Sequence, residues 1–117
     1  GISPFGVWRN KSVDRTGSDT DAGQTNYDDL YADILLWLKN DWLDYVLPQA
    51  YWYIGHKKAN YKNVVTWWAS NKYNANLYIG HGMYKLAGKK ENKAWKKKNP
   101  NEVEKQLNLN NSISQIQ

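Results

Sequence analysis

The chain has 117 residues and a net charge of +5, and its mean hydropathy of -0.85 leaves enough apolar residues for one modest core. It has no cysteine, which excludes disulfides, thiolate metal sites and a Cys nucleophile, and no stretch reads as a signal peptide, a lipidation motif or a membrane span. The positive excess comes from one run holding Lys89, Lys90, Lys93, Lys96, Lys97 and Lys98; the remaining charges nearly cancel.

In chain order, Ile2 to Val7 is a short apolar run followed by a polar loop, Arg9 to Asn26, and predicts a strand over 2–7 with a long loop after it. Tyr27, Leu30, Tyr31, Ile34, Leu35 and Leu38 keep the i, i+3, i+4 rhythm of a helix over 27–40, with Thr25 placed to cap it and Asp28 and Asp29 favouring its N-terminal dipole. Leu43 to Leu47 predicts a second strand ended by Pro48, and residues 76–80 a third with Leu77, Tyr78 and Ile79 as its apolar centre. Between them Asn60 can cap a helix over 60–71 whose buried stripe is Tyr61, Val64, Val65 and Trp68. Asn99, Pro100 and Glu102 have the spacing of a helix start, and Val103 and Leu107 are the expected inward residues of a last helix over 100–109. The lysine run lies in the loop before it.

Strand, helix, strand, helix, strand, loop, helix implies α/β architecture with a parallel sheet. A complete eight-fold barrel takes about 250 residues. The expectation is therefore a single partial domain over 1–117, about three β/α units of a (β/α)8 TIM barrel that this chain alone does not close.

Three blocks carry a resemblance: Ile2-Ser3-Pro4-Phe5-Gly6-Val7-Trp8-Arg9-Asn10-Lys11, then Trp42-Leu43-Asp44-Tyr45-Val46-Leu47-Pro48-Gln49-Ala50-Tyr51-Trp52, then Leu77-Tyr78-Ile79-Gly80-His81. In order and spacing they resemble the signature blocks of the glycosyl hydrolase-like 10 family of bacterial TIM-barrel proteins. Residues 61–69 and 104–107 also fit; the stretch after His81 and the lysine run match it less well. The resemblance implies the C-terminal part of a barrel, with earlier strands, and an Asp-rich block near the fourth, upstream of Gly1. It also implies a final strand just after Gln117, a carbohydrate substrate, and an exported, periplasmic or lipid-anchored setting.

Barrel chemistry takes place at the C-terminal ends of the strands. These ends read Pro4-Phe5-Gly6, Pro48-Gln49-Ala50-Tyr51-Trp52 and Gly80-His81-Gly82, and none carries an acid. Glycoside hydrolysis usually needs two carboxyl groups about 5 to 9.5 Å apart, so the catalytic residues are not assigned to this chain. Asp44 falls at the opposite end of its strand, and Asp14, Asp19 and Asp21 lie in the right loop for a substrate role, but a polar loop of this kind is usually a solvated turn. Gln49, Tyr51 and Trp52 are the leading substrate-contacting candidates, because an amide, a phenol and an indole can hydrogen-bond and stack on a sugar. Trp8, Arg9 and His81 complete the set, with Arg9 equally suited to holding the long loop. Trp37, Trp42, Trp67 and Trp68 read as packing residues.

Neither His56 nor His81 has a metal partner at ligand spacing. No metal, no cofactor and no nucleic-acid partner is expected, the lysine run with Trp95 inside it reading as a solvated loop. The expected function is that of a glycoside hydrolase fragment acting on polysaccharide, one that supplies substrate contacts and not the catalytic carboxylates. A barrel that binds carbohydrate or acts as a scaffold without chemistry is the alternative. An open sheet also leaves an apolar face uncovered, so the isolated chain is expected to self-associate or to cover the gap with its terminal helix.

Overall fold

The computed structural model of the chain describes residues 1–87, Trp95 and residues 102–117; the lysine run and the expected helix start at Asn99-Pro100 lie outside them. Three helices are described: α1 (Ile34–Lys39), α2 (Tyr61–Asn71) and α3 (Glu102–Asn111). The strands are two-residue pairs, β1 (Tyr45–Val46), β2 (Gln49–Ala50), β3 (Asn76–Leu77) and β4 (Gly80–His81), followed by a 3-10 turn over Met83–Leu86.

All pairings are parallel, β1 on β3 through Tyr45 with Asn76 and Val46 with Leu77, and β2 on β4 through Gln49 with Gly80 and Ala50 with His81. The first segment joins through single bridges, Ile2 to Val46 and Phe5 to Gln49, and a last one through Leu77 to Ile116. Neighbours in the sheet thus follow chain order, and no described pairing closes it on itself. The strand expected over 2–7 is reduced to those bridges. Pro48 does not end the second strand, which continues through Ala50; lacking an N–H, it leaves a gap in the ladder, while its carbonyl still accepts from the Gly80 amide at 3.0 Å. The last segment pairs already at Ile116, before the expected position.

One face of this sheet is buried. Val46, Ala50 and Leu77 pack with Ile34, Leu35 and Leu38 of α1 and with Tyr61, Val64, Val65 and Trp68 of α2. The Trp68 indole donates to the Gly6 carbonyl at 2.7 Å, so a fully buried core ring also fixes the end of the first segment. Asn60 caps α2 by accepting from the Lys62 amide at 3.1 Å. On the other face Tyr45 and Tyr78 meet edge to face at 6.1 Å and remain exposed.

Two further expectations are corrected. The helix over 27–40 is broken: Thr25 does accept from the Asp28 amide and donates its own amide to Asp29, but the turn it caps ends at Tyr31, whose φ of 53° is left-handed. The chain restarts at Asp33, whose carboxylate accepts from the Leu36 amide. The break lets the Asn26 carbonyl take the Ala32 amide while the Asn26 side chain donates to the Phe5 and Val7 carbonyls. Holding the first strand end outweighs continuing the helix.

The second correction concerns α3, where Leu107 is exposed and Val103 only partly buried, while Glu102, Gln106 and Asn110 are buried. These three recur every four residues and therefore share a face. That face meets the backbone of Trp52 and Ile54 and the polar atoms of His81 and Tyr61 rather than an apolar surface, which is why polar residues occupy it.

Candidate functional site

The C-terminal ends of the first two segments and the turn after β4 converge on a shallow cleft of about 250 Å³ lined by Phe5, Gln49, Tyr51, Trp52, Tyr84 and Lys85. It contains three of the expected site residues, Gln49, Tyr51 and Trp52. Gln49 is oriented by donating its side-chain amide to the Ser3 carbonyl at 3.1 Å. Its backbone amide donates to the Pro4 carbonyl at 2.9 Å. Trp52 meets Phe5 edge to face at 5.5 Å, and Tyr51 meets Tyr84 likewise at 5.8 Å. Gly6 makes the Trp52 placement possible, because a Cβ there would fall 2.5 Å from both the Trp52 ring and the Gln49 carbonyl.

Tyr84 and Lys85 were not expected at the site. The Lys85 ammonium donates to the Tyr51 carbonyl and lies 5.8 Å from the centroid of the buried Trp95 ring. The first of these contacts ties the turn after β4 to the loop after β2. The available signal was the pair's position three and four residues after His81, at a strand end.

Trp8 and Arg9 belong to a different cleft, shared with Asp14, Thr16, Tyr27 and Asp33. Trp8 is only 4% exposed. It stacks on Trp67 at 5.7 Å and donates its indole N–H to Asp33 at 3.2 Å. Arg9 forks onto Asp28 through Nε and Nη2, at 2.8 to 3.1 Å. Its Nη1 pairs with Asp14 at 3.1 Å, and its guanidinium lies 4.2 Å from the Tyr27 ring centroid. These pairs stabilise the charged forms: the bond to Asp28 leads in raising the Arg9 pKa, and the bond from Arg9 leads in lowering that of Asp28. Asp14 is lowered as well, first by the Thr16 hydroxyl and amide. Arg9 is thus tied to Asp14 in the long loop and to Asp28 in the turn after it.

His81 does not line the aromatic cleft but is joined to it from behind. Its ring stacks on Tyr61 at 5.9 Å, Nδ1 lies 3.0 Å from the Gln106 carbonyl oxygen, and Nε2 lies 3.4 Å from the Asn110 side-chain nitrogen. Gln106 in turn donates to the Trp52 carbonyl and to Glu102, each at 3.0 Å. Glu102 accepts from the Ile54 amide at 2.6 Å, and the Tyr61 hydroxyl donates to Asn110 at 2.8 Å. Sequence reasoning missed this cluster, although its signal was present as three polar residues at i, i+4 and i+8.

No Asp or Glu lines the aromatic cleft. Glu102 comes nearest through the network but is 1% exposed, with its Oε1 taken by Ile54 and Gln106. Among the described residues no group of three His, Asp or Glu side chains is placed to hold a metal, and no helix is long and apolar enough to cross a membrane.

The chain matches the model of a family described as glycosyl hydrolase-like 10 over residues 1–97. It is 43% identical over 118 residues to "Glycosyl hydrolase YngK" of Bacillus subtilis (strain 168). It is 40% identical over 120 residues to "Glycosyl hydrolase DigH" of Escherichia coli (strain K12). Each match takes in 99% of this chain but only 22% and 27% of the respective relative, so the chain spans about a quarter of the length of these curated relatives. With more than half its length matched by one model, the chain belongs to the glycosyl hydrolase-like 10 family.

Proposed function

We propose that the chain forms the substrate-holding part of a glycoside hydrolase barrel, with Gln49, Tyr51 and Trp52 contacting a saccharide and the catalytic carboxylates supplied from elsewhere in a longer protein. The observation that carries this reading is the aromatic cleft at the strand ends. It offers an oriented amide, two tyrosine rings and an indole, and no carboxyl group among its lining residues. Aromatic faces and bidirectional hydrogen-bonding groups suit sugar rings, and bond cleavage requires acids that this cleft lacks. Membership of a glycosyl hydrolase-like family supports the reaction class. The parallel, chain-order sheet supports reading this domain as an arc of a (β/α)8 barrel, with the cleft at its catalytic end. In this reading Trp8 and Arg9 support the site by holding the loop after the first strand, and His81 supports it from behind.

The test is hydrolysis of a polysaccharide panel by the 117-residue chain and by a longer protein that contains it. Activity is expected from the longer protein only, and Tyr51→Ala should weaken its substrate binding. Hydrolysis by the chain alone would overturn the assignment of catalysis elsewhere. A longer protein that binds but does not cleave would favour the second reading, a non-catalytic carbohydrate-binding or scaffold barrel, which the acid-free cleft also fits.

A further inference from the structure

We infer that Gln106 is a positioning residue for this cleft, coupling the Trp52 loop to His81 and holding the His81 ring as its Nδ1–H tautomer. The inference rests on the reading of the cleft as a saccharide site for its functional half, whereas the tautomer follows from geometry alone.

The direction of the network is fixed at a backbone atom. A carbonyl oxygen only accepts, so the group 3.0 Å from the Trp52 carbonyl must be the Gln106 NH2. The Gln106 carbonyl oxygen then faces His81 Nδ1 at 3.0 Å and can only accept, so Nδ1 carries the proton. In the neutral ring Nε2 is then the acceptor. It faces the Asn110 NH2 at 3.4 Å, the orientation in which the Asn110 oxygen accepts from the Tyr61 hydroxyl at 2.8 Å. Burial pushes the Tyr61 phenol far above its ordinary value, which keeps it protonated and able to donate. Every polar contact of the cluster agrees with one direction of donation, and Gln106 is fully buried within it.

The consequence for the cleft is positional. One amide sets the Trp52 carbonyl and the His81 ring relative to each other, and Glu102 holds both Gln106 and the Ile54 amide two residues beyond Trp52. Removing the Gln106 amide frees the loop that carries Tyr51 and Trp52 without touching a ligand.

The decisive measurement is the ring 15N spectrum of His81 in the full chain. It should show a protonated Nδ1 and an unprotonated Nε2; the opposite pattern would overturn the inference. In Gln106→Met, a near-isosteric change chosen to preserve packing, the His81 nitrogens should shift away from the Nδ1–H form while those of His56 stay unchanged. Unshifted His81 nitrogens would also overturn it. For the functional half, binding to the longer protein of an oligosaccharide cut from whichever panel polysaccharide it cleaves should weaken several-fold in Gln106→Met, as in Tyr51→Ala. If Tyr51→Ala weakens binding but Gln106→Met does not, the positioning role fails and the site reading stands. If neither matters, the site reading fails, and the ring spectrum still decides the tautomer.

Discussion

At the scale of single residues, His56 shows how a side chain that lines no described cleft can still set a local pH response. Its Nδ1 accepts from the amides of Lys58 and Ala59, each at 3.2 Å, and its ring meets Tyr53 edge to face at 5.0 Å. Burial lowers its pKa, and the positive charges of Lys85 and Lys58 lower it further. Because the folded value lies below the ordinary one, near 6.5, the unfolded chain binds the extra proton. The stabilising contribution of the unprotonated ring is therefore complete above about pH 6.5 and is lost as pH falls through the folded value. Protonation at Nδ1 also removes the acceptor for both amides. Hydrogen exchange at Lys58 and Ala59 should accelerate over this window, after correction for its intrinsic pH dependence, and His56→Ala should remove that response. An NMR titration placing His56 at or above the ordinary value would contradict it.

The elements show where sequence periodicity suffices and where it does not. α2 was legible because Tyr61, Val64, Val65 and Trp68 fill one apolar face and Asn60 caps it, so local and tertiary preferences agree. The parallel order of the sheet was legible for the same reason. The break at Tyr31 was not, since Tyr27, Leu30 and Tyr31 continue the apolar rhythm and yet end up exposed; the deciding partner, Asn26, acts through strand-end carbonyls that no helical pattern encodes. In the site, the group of Gln49, Tyr51 and Trp52 was legible from its place at a strand end, whereas α3's buried face was misread because an apolar stripe was assumed. α1 ends similarly without glycine. Asp41 is left-handed at φ 57°, and the amides of Asp41 and Trp42 donate to Leu38 and Trp37, the bonding of a Schellman end. Trp42, expected to pack, is 65% exposed just beyond it.

Tyr31 gives the sharper test of this account. It is 92% exposed, and a left-handed residue with a Cβ costs about 1–2 kcal/mol. Glycine relieves that strain but loses about 0.5–1 kcal/mol in chain entropy, so Tyr31→Gly should stabilise the fold by roughly 0.5 kcal/mol. Urea unfolding measures it; a loss of stability would mean that the Tyr31 ring makes a contact worth more than its strain.

For the whole molecule, the two faces of the sheet are treated unequally. Helices α1 and α2 cover the face carrying Val46, Ala50 and Leu77, while Tyr45 and Tyr78 stand exposed on the other. Among the described residues the first segment is an edge as well, with Ile2, Pro4 and Phe5 bordering an open cleft of about 380 Å³ that also includes Leu30 and Ile34. The described part of α3 closes neither feature, since its buried residues face the strand-end network. An uncovered sheet face beside an unpaired edge favours association in water. The 117-residue chain by itself should therefore self-associate, its apparent mass in size-exclusion chromatography with light scattering rising with concentration over the micromolar range. Tyr45→Lys with Tyr78→Glu should shift it toward monomer, because both substitutions place charge on the exposed face and neither touches the buried one. A concentration-independent monomer in the unmodified chain would show that this face is stable in water, and the argument from an uncovered sheet would fail.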